Sequence, residues 1–521
     1  MKLSIKYISL SLLIFLLVVG NSCTDALEEL NEPPNSVTSI NPNFVFSAVQ
    51  KDDAFYPSSW VMYLQYGSWV QHFGDADRGF TTSHYQSITS YDNGFFEGNY
   101  GLLGELTQIK TDLLAGLEDD PEGRTKLAIA DILAVKIWER TTALVGDIPF
   151  SEAVQGVQNP NTLPVYDPQS EIYPQLITML DNAISRITNG DASYGSADFY
   201  YDGDLEQWRK FGNSLKLKIG MRMKHANPSL AQQVVTEAMN SQLLSSNADN
   251  AEVPTFSNNG QGANANPMLS LYRPRTGGES GKPFIGEALV ETLKAKNDPR
   301  LPVLAEPTQN SKNAFAESGD PADLVYRGLM PALSFEQYDN VSLSNYSYPS
   351  FDVLLSESVA RPAVTMSYAE VSFLKAEAAL EGWGATEAQA DEFYRDGVRA
   401  ALTMNIYGDF ISPEEVEAYL DSEEGSLTGT KEEKLEQIAV QRWISLFDRS
   451  FEAFFEWRRT GYPVLDPGDN PGETGGRIPR RGKYSTTEAA LNNTNYESAV
   501  SRQGPDTFLN RIWIDANPNI E

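Results

Sequence analysis

The 521-residue chain has one cysteine, only three histidines, and far fewer basic residues than acidic ones. A single cysteine, Cys23, excludes an internal disulfide. The histidines are His72, His84 and His225, and no G-x-S-x-G, H-E-x-x-H or C-x-x-C occurs, so no hydrolase or metalloprotease set is visible. Forty Lys and Arg against 71 Asp and Glu give a formal charge of −31, a surface that repels nucleic acid and other polyanions at long range. Long apolar runs are also missing. After the N-terminus none approaches the ~18 residues of a membrane span.

The N-terminus is different. Lys2 and Lys6 precede an apolar run from Tyr7 to Gly20, and the small residues Gly20, Asn21 and Ser22 lead to Cys23. The run is too short to cross a bilayer and has the layout of a signal-peptide core. The segment resembles a bacterial lipoprotein signal, with Gly20 where Leu is usual three positions before the cysteine. Residues 1–22 are therefore expected to be the signal and Cys23 the lipidated first residue of the mature protein. Residues 23–43 (acidic at Asp25, Glu28 and Glu29, then rich in Pro and Asn) are expected to form a flexible tether.

What is present is helical periodicity and aromatic residues, which make up 11% of the chain. Gln441 to Leu465 reads as one central core helix, with Val440, Ile444, Phe447, Phe451 and Phe454 on one face. Within it Arg449 and Glu452, and Glu456 and Arg459, are spaced to pair, and Gly461 and Pro463 mark the stop. Phe44 to Trp69 reads as a helix or two, and Val70 to Phe96 as a loop. Further helices are expected over Glu97–Leu117, Arg124–Val145, Gln169–Ile187, Leu205–His225, Leu230–Met239, Ser367–Gly382, Glu387–Met404 and Ser412–Ser422. Helix pairs with short connectors suggest hairpin packing like that of tetratricopeptide repeats, although no 34-residue sequence repeat occurs. The chain thus reads as mostly α. One domain is expected over 44–521, its helical scaffold mainly at 97–241 and 363–465. A loop-rich insertion at 245–362, helical only around Ile285 to Ala295, and an irregular segment at 466–521 complete it.

Three stretches tempt a chemical reading. Gly277 to Pro283 looks superficially like a phosphate loop, but it has one residue too few between its glycines and Pro283 in place of Ser or Thr. His72 and His84 share a loop without further ligand spacing, so a metal pair is not expected. Asp466 to Glu473 has oxygen ligands but no EF-hand pattern, and a solvated acidic turn is preferred over a structural calcium site. No cofactor is expected. The better candidates are aromatic residues in polar loops: Trp69, Tyr85 and Tyr91 with Asp75 and Arg78; Tyr272 with Arg273; and Asn345 with Tyr346 and Tyr348. Flat rings cover the C–H face of a sugar while amides, carboxylates and Arg bind its hydroxyls, and the same set would accept an extended peptide.

The order of these features resembles the SusD/RagB family of Bacteroidetes outer-membrane lipoproteins, in particular its second, SusD-like branch. The residues that carry the resemblance are Cys23 after a signal, Asn31–Asn35, Gly146–Ala153 (GDIPFSEA), Asn297–Val303 (NDPRLPV), Glu456–Pro463 (EWRRTGYP), and the tail Arg477–Arg481 with Tyr484, Asn495 and Tyr496. It implies a right-handed superhelical scaffold of four tetratricopeptide-like helix pairs. It implies a non-catalytic glycan-binding protein on the cell surface, engaged in nutrient uptake with a SusC-like TonB-dependent transporter. An oligopeptide-capture protein of the same architecture is the alternative, and a surface glycoside hydrolase a more distant one. The acidic surface favours neutral oligo- or polysaccharide.

Overall fold

The structure is a computed structural model that describes residues 40–55, 60–74, 83–156, 160–256, 264–268, 283–350, 361–404 and 407–520. Cys23, Asp75, Arg78, Tyr272 and Arg273, and nearly all of Gly277–Pro283, lie outside the described residues.

The body from Pro42 onward is mostly helical. It begins with α1 (Pro42–Phe55), α2 (Trp60–Trp69), α3 (Thr89–Gln108) and α4 (Pro121–Val145), then α5 (Gln169–Arg186), α6 (Leu205–Arg222) and α7 (Pro228–Met239). The insertion contains α8 (Glu287–Ala295), α9 (Leu301–Leu304), α10 (Gln309–Ser318) and α11 (Phe335–Asp339). Then come α12 (Tyr368–Glu381), α13 (Ala390–Thr403), α14 (Pro413–Leu420), α15 (Lys431–Ser445) and α16 (Ser450–Thr460), and finally α17 (Thr486–Leu491) and α18 (Asn493–Gln503). Among the described residues there are also two short antiparallel pairs: β1 (Ile148–Pro149) with β2 (Tyr166–Asp167), and β3 (Ala251–Val253) with β4 (Ala363–Met366). Local chemistry explains the helix starts. Asp120 caps α4 with Pro121 at the first position, and Thr430 and Glu433 form a capping box on α15. Consecutive helices pack as pairs, α4 with α5, α6 with α7 and α12 with α13, and α15 lies on α12.

Several expectations change. Thr89 to Phe96, read as loop, forms the first two turns of α3, because Phe95 and Phe96 are buried and the aromatic side of a helix satisfies both backbone and core. The insertion has more helix than its composition suggests, and the C-terminal segment carries α17 and α18. The Gln441–Leu465 helix is broken at Leu446 into α15, a 3-10 turn over Phe447–Arg449, and α16. The break lets Arg449 reach across to Glu370 at 2.7 Å and to Ser367 Oγ at 3.0 Å. Glu452 accordingly pairs with Arg222 and Lys218 instead of Arg449, whereas the Glu456–Arg459 pair forms at 2.8 Å. The stop is as read: Gly461 takes φ +80°, a left-handed cap that glycine adopts without strain.

These helices bury two kinds of side chain at once. Phe447, Phe451, Phe454 and Phe455 are all buried, with Phe451 at 4.9 Å from the Tyr66 and Phe95 rings. Between the aromatic groups runs a buried ionic network. Glu370 meets Arg442 (3.2 Å), Arg449 (2.7 Å) and Lys218 (3.6 Å), and Glu456 joins Arg442 (2.6 Å) to Arg459. Burial alone would raise Glu377, but the charges of Arg459 and Lys224 outweigh it and hold the carboxyl well below the usual range. Arg480 and Arg481 are buried on Asp515 and Asp506.

Candidate ligand-binding cleft

The segment after α2 fastens the loops to this core. His72 donates from Nε2 to the Trp443 carbonyl (3.0 Å), Trp443 donates from Nε1 to the Val70 carbonyl (3.0 Å), and the Phe73 ring lies 5.1 Å from Phe447. Burial pushes the His72 imidazole down to about 3 against the opposing effect of its bond to Trp443, so it is a neutral structural bridge. On this fixed edge a small backbone weave is built. Gly74 N–H donates to the Phe284 carbonyl (2.8 Å) and Gly286 N–H to His72 (2.9 Å), while Leu329 N–H donates to Ile285 (2.9 Å) and Ile285 N–H to Ser347 (3.0 Å). Glycine is required where the chains touch. A Cβ on Gly74 would fall on the Leu329 carbonyl, and one on Gly286 on the carbonyl of Gln71.

The weave carries a satellite core separate from the main one. Phe284, Leu329 and Leu333 are buried there, with Tyr338, Val341, Tyr346 and Tyr348 packed against them. A third strand of chain closes the unit: Asn470 N–H donates to the Ala332 carbonyl (2.8 Å), Tyr85 Oη to that of Pro467 (2.7 Å), and Gln71 Nε2 to that of Asp466. Tertiary structure therefore brings together three stretches far apart in sequence, around Tyr85, Tyr346 and Asp469.

Above the satellite core lies an open cleft of about 690 Å³. Leu333 and Val341 supply its apolar lining, and Ser334, Gln337, Asn340, Ser342 and Asn345 its hydroxyls and amides. Glu336 and Asp469 add carboxylates, and Tyr346 the aromatic ring. Several of these groups are pre-positioned. Ser334 and Gln337 form a capping box at the start of α11, and the Gln337 amide also donates to Asp469 at 2.5 Å. Asn345 accepts from Asn310 at 2.6 Å, and the Arg327 guanidinium covers one face of the Tyr346 ring at 4.7 Å. At the edge, Phe335 is 61% exposed, with its ring edge-on to His84 at 6.4 Å.

Among the described residues singled out from sequence, two, Asn345 and Tyr346, line this cleft. Trp69 is not a ligand platform: it has no exposed surface and is enclosed by Tyr66 (4.9 Å), Phe454 (5.3 Å) and Phe508 (5.3 Å). Tyr85 is also fully buried, its hydroxyl used on Pro467 and its ionisation raised by burial and by the charge of Asp466. Tyr91 sits half-buried in the first turn of α3 and does not line the cleft. Tyr348 stacks on Phe284 at 4.4 Å and supports the floor from behind. The acidic turn Asp466–Glu473 works as a clamp. Its oxygens go to separate partners, Asp466 to the Gly468 N–H and Glu473 to Lys483 and the Ser87 N–H. Sequence reading missed Ser334, Glu336, Gln337, Asn340 and Asp469. The Ser334–Gln337 capping spacing was the one local signal available for them.

A helical scaffold that carries an open cleft of amides, hydroxyls, carboxylates and a backed aromatic ring is the build of a binding protein for an extended polar ligand. More particularly, the chain belongs to the SusD-like family described as "Starch-binding associating with outer membrane", which matches residues 34–485. Among solved structures it is similar to a chitin-binding protein at 26% identity, covering 92% of this chain and 100% of that one with a TM-score of 0.75. A SusD homologue from Bacteroides uniformis matches at 26% identity over 91% and 99% of the two chains with a TM-score of 0.73. A chitin-binding SusD homologue from Flavobacterium johnsoniae, 23% identical over 92% and 99% with a TM-score of 0.71, shares the fold. No curated protein matches the sequence. The family is described as associated with the outer membrane, and among the described residues no helix is long and apolar enough to cross one.

Proposed function

We propose that the protein captures neutral oligo- or polysaccharide at the cell surface, held by a lipid on Cys23, and delivers it to a SusC-like TonB-dependent transporter. The cleft carries this reading. Tyr346, backed by Arg327, lines the cleft with ring surface that a sugar can meet, while Asn340, Asn345 and Gln337 are placed for hydroxyl groups. The contacts are many and individually weak, which suits recognition of a repeating polymer along an open surface and not enclosure of a small molecule. Family membership supports the glycan class, and the signal-like N-terminus supports surface anchoring.

The test is calorimetry and affinity electrophoresis against a panel of polysaccharides and their oligomers. Because one similar structure is described as a chitin-binding protein, N-acetylglucosamine oligomers come first on the panel, followed by starch fragments. Binding to at least one glycan, weakened by Tyr346→Ala, is the expected outcome. Binding of peptides with no glycan bound would replace this reading with oligopeptide capture. Release of reducing sugar by the purified protein would replace it with hydrolysis.

A further inference from the structure

The charge of the cleft narrows what it takes. Among the described residues its lining has two carboxylates, Glu336 and Asp469, and no Lys, Arg or His. The Arg327 guanidinium is stacked on the Tyr346 ring at 4.7 Å. Both carboxylates are on exposed residues, and the bond from Gln337 uses one of the two oxygens of Asp469. A carboxylate or sulfate on a bound sugar would face two like charges with no counter-ion among the described lining residues, inside a protein of net charge −31. A sugar bearing a protonated amine would find two acceptors of opposite charge beside the amides that take its hydroxyls. We infer that the cleft between α11, the 340–346 segment and the Asp469 turn discriminates glycans by charge: it rejects uronate or sulfated chains and takes amine-bearing sugars more tightly than neutral chains of the same backbone.

This inference rests on the glycan-binding reading and adds a substrate class to it. It is tested with four hexasaccharides of one β-1,4-glucose backbone: the unmodified chain, its 2-acetamido form, its 2-amino form and its 6-carboxylate form. Calorimetry at about pH 6 and about 50 mM salt keeps amines and carboxylates charged and screening weak. The amine form is expected to bind about tenfold tighter than the unmodified chain, with no binding of the carboxylate form. In about 0.5 M salt, and in an E336Q/D469N double variant, the advantage should shrink to about twofold or less. Both substitutions are at exposed positions, so the variant should fold, and an unchanged melting temperature verifies that. Equal binding of amine and unmodified chains overturns the inference, as does binding of the carboxylate form. An amine preference that survives in the double variant overturns it too, because it would belong to the acidic surface at large. Binding of none of the four also ends it, while the wider polysaccharide panel decides separately whether the protein binds glycan at all.

Discussion

The molecule holds aromatic residues and charged groups together in two places, with opposite results. Beneath α15 and α16 the rings of Trp69, Phe451 and Phe454 are buried together, and Glu370, Arg442 and Arg449 are paired below the surface. In the cleft Tyr346, Glu336 and Asp469 face solvent over a small core in which Phe284, Leu329 and Leu333 are the buried apolar side chains among the described residues. The same chemistry is structural in one region and available to a ligand in the other. The difference is burial, which leaves a core ring no free face and makes a core charge dependent on its partner.

The comparison breaks most visibly on the core side. Glu370→Ala removes the carboxylate that Lys218, Arg442 and Arg449 share, leaving these buried cations short of negative charge, and is expected to lose about 3–5 kcal/mol of stability in denaturant unfolding. A loss below about 1 kcal/mol would mean that the network is hydrated and resembles surface pairs. Trp69→Ala is expected to cost a similar amount, about 3–5 kcal/mol, through the cavity it leaves, with glycan affinity unchanged in whatever fraction folds. Selective loss of glycan affinity at full stability would return Trp69 to the site.

Ionisation separates the two regions next. Burial raises Asp92 to about 6, so the folded state favours its neutral form. Its contribution is complete below an unfolded value near 3.8 and is lost as pH rises through about 6. Asp92→Asn should therefore stabilise the protein by about 1–3 kcal/mol at pH 8 and have little effect near pH 4, as read from thermal unfolding. His72 has the opposite sign. Its stabilisation is full above about 6.5 and lost as pH falls toward about 3, so it steepens the acid limb.

Tyr346→Ala should weaken glycan binding by about 1–3 kcal/mol, by analogy with stacking of bases on aromatic side chains, with only a small change in melting temperature. A large drop in melting temperature with unchanged affinity would assign the ring to the satellite core alone. The smallest effect is expected for Asn345→Ala, about 0.5–1.5 kcal/mol of binding and nothing measurable in stability, since its residue is exposed.

Helix positions were legible in the chain because they depend on near neighbours. Gly461 after an apolar stripe ends α16 as read, whereas the starts of α4 and α15 lie earlier than the expected Arg124 and Gln441, at Pro121 and Lys431, where Asp120 and the Thr430–Glu433 capping box act within a few residues. Family membership was legible too, since Gly146–Ala153 and Glu456–Pro463 combine backbone and buried-charge requirements that few other residues meet. The break at Leu446 was not visible, because Arg449 is drawn off the helix path by Glu370, 79 residues earlier.

By itself, then, the sequence determined a mostly α body, a signal-like N-terminus, the family, and aromatic residues as the material of a site. Which of those residues belong to the site was decided only by tertiary structure. Trp69 and Tyr346 look alike in a chain, each an aromatic residue beside a polar stretch. One meets Phe454 and Phe508 and is closed off, while the other ends up over three buried side chains beside Asp469, more than a hundred positions away. Burial is a property of how distant segments pack, and a local pattern of residues cannot encode it.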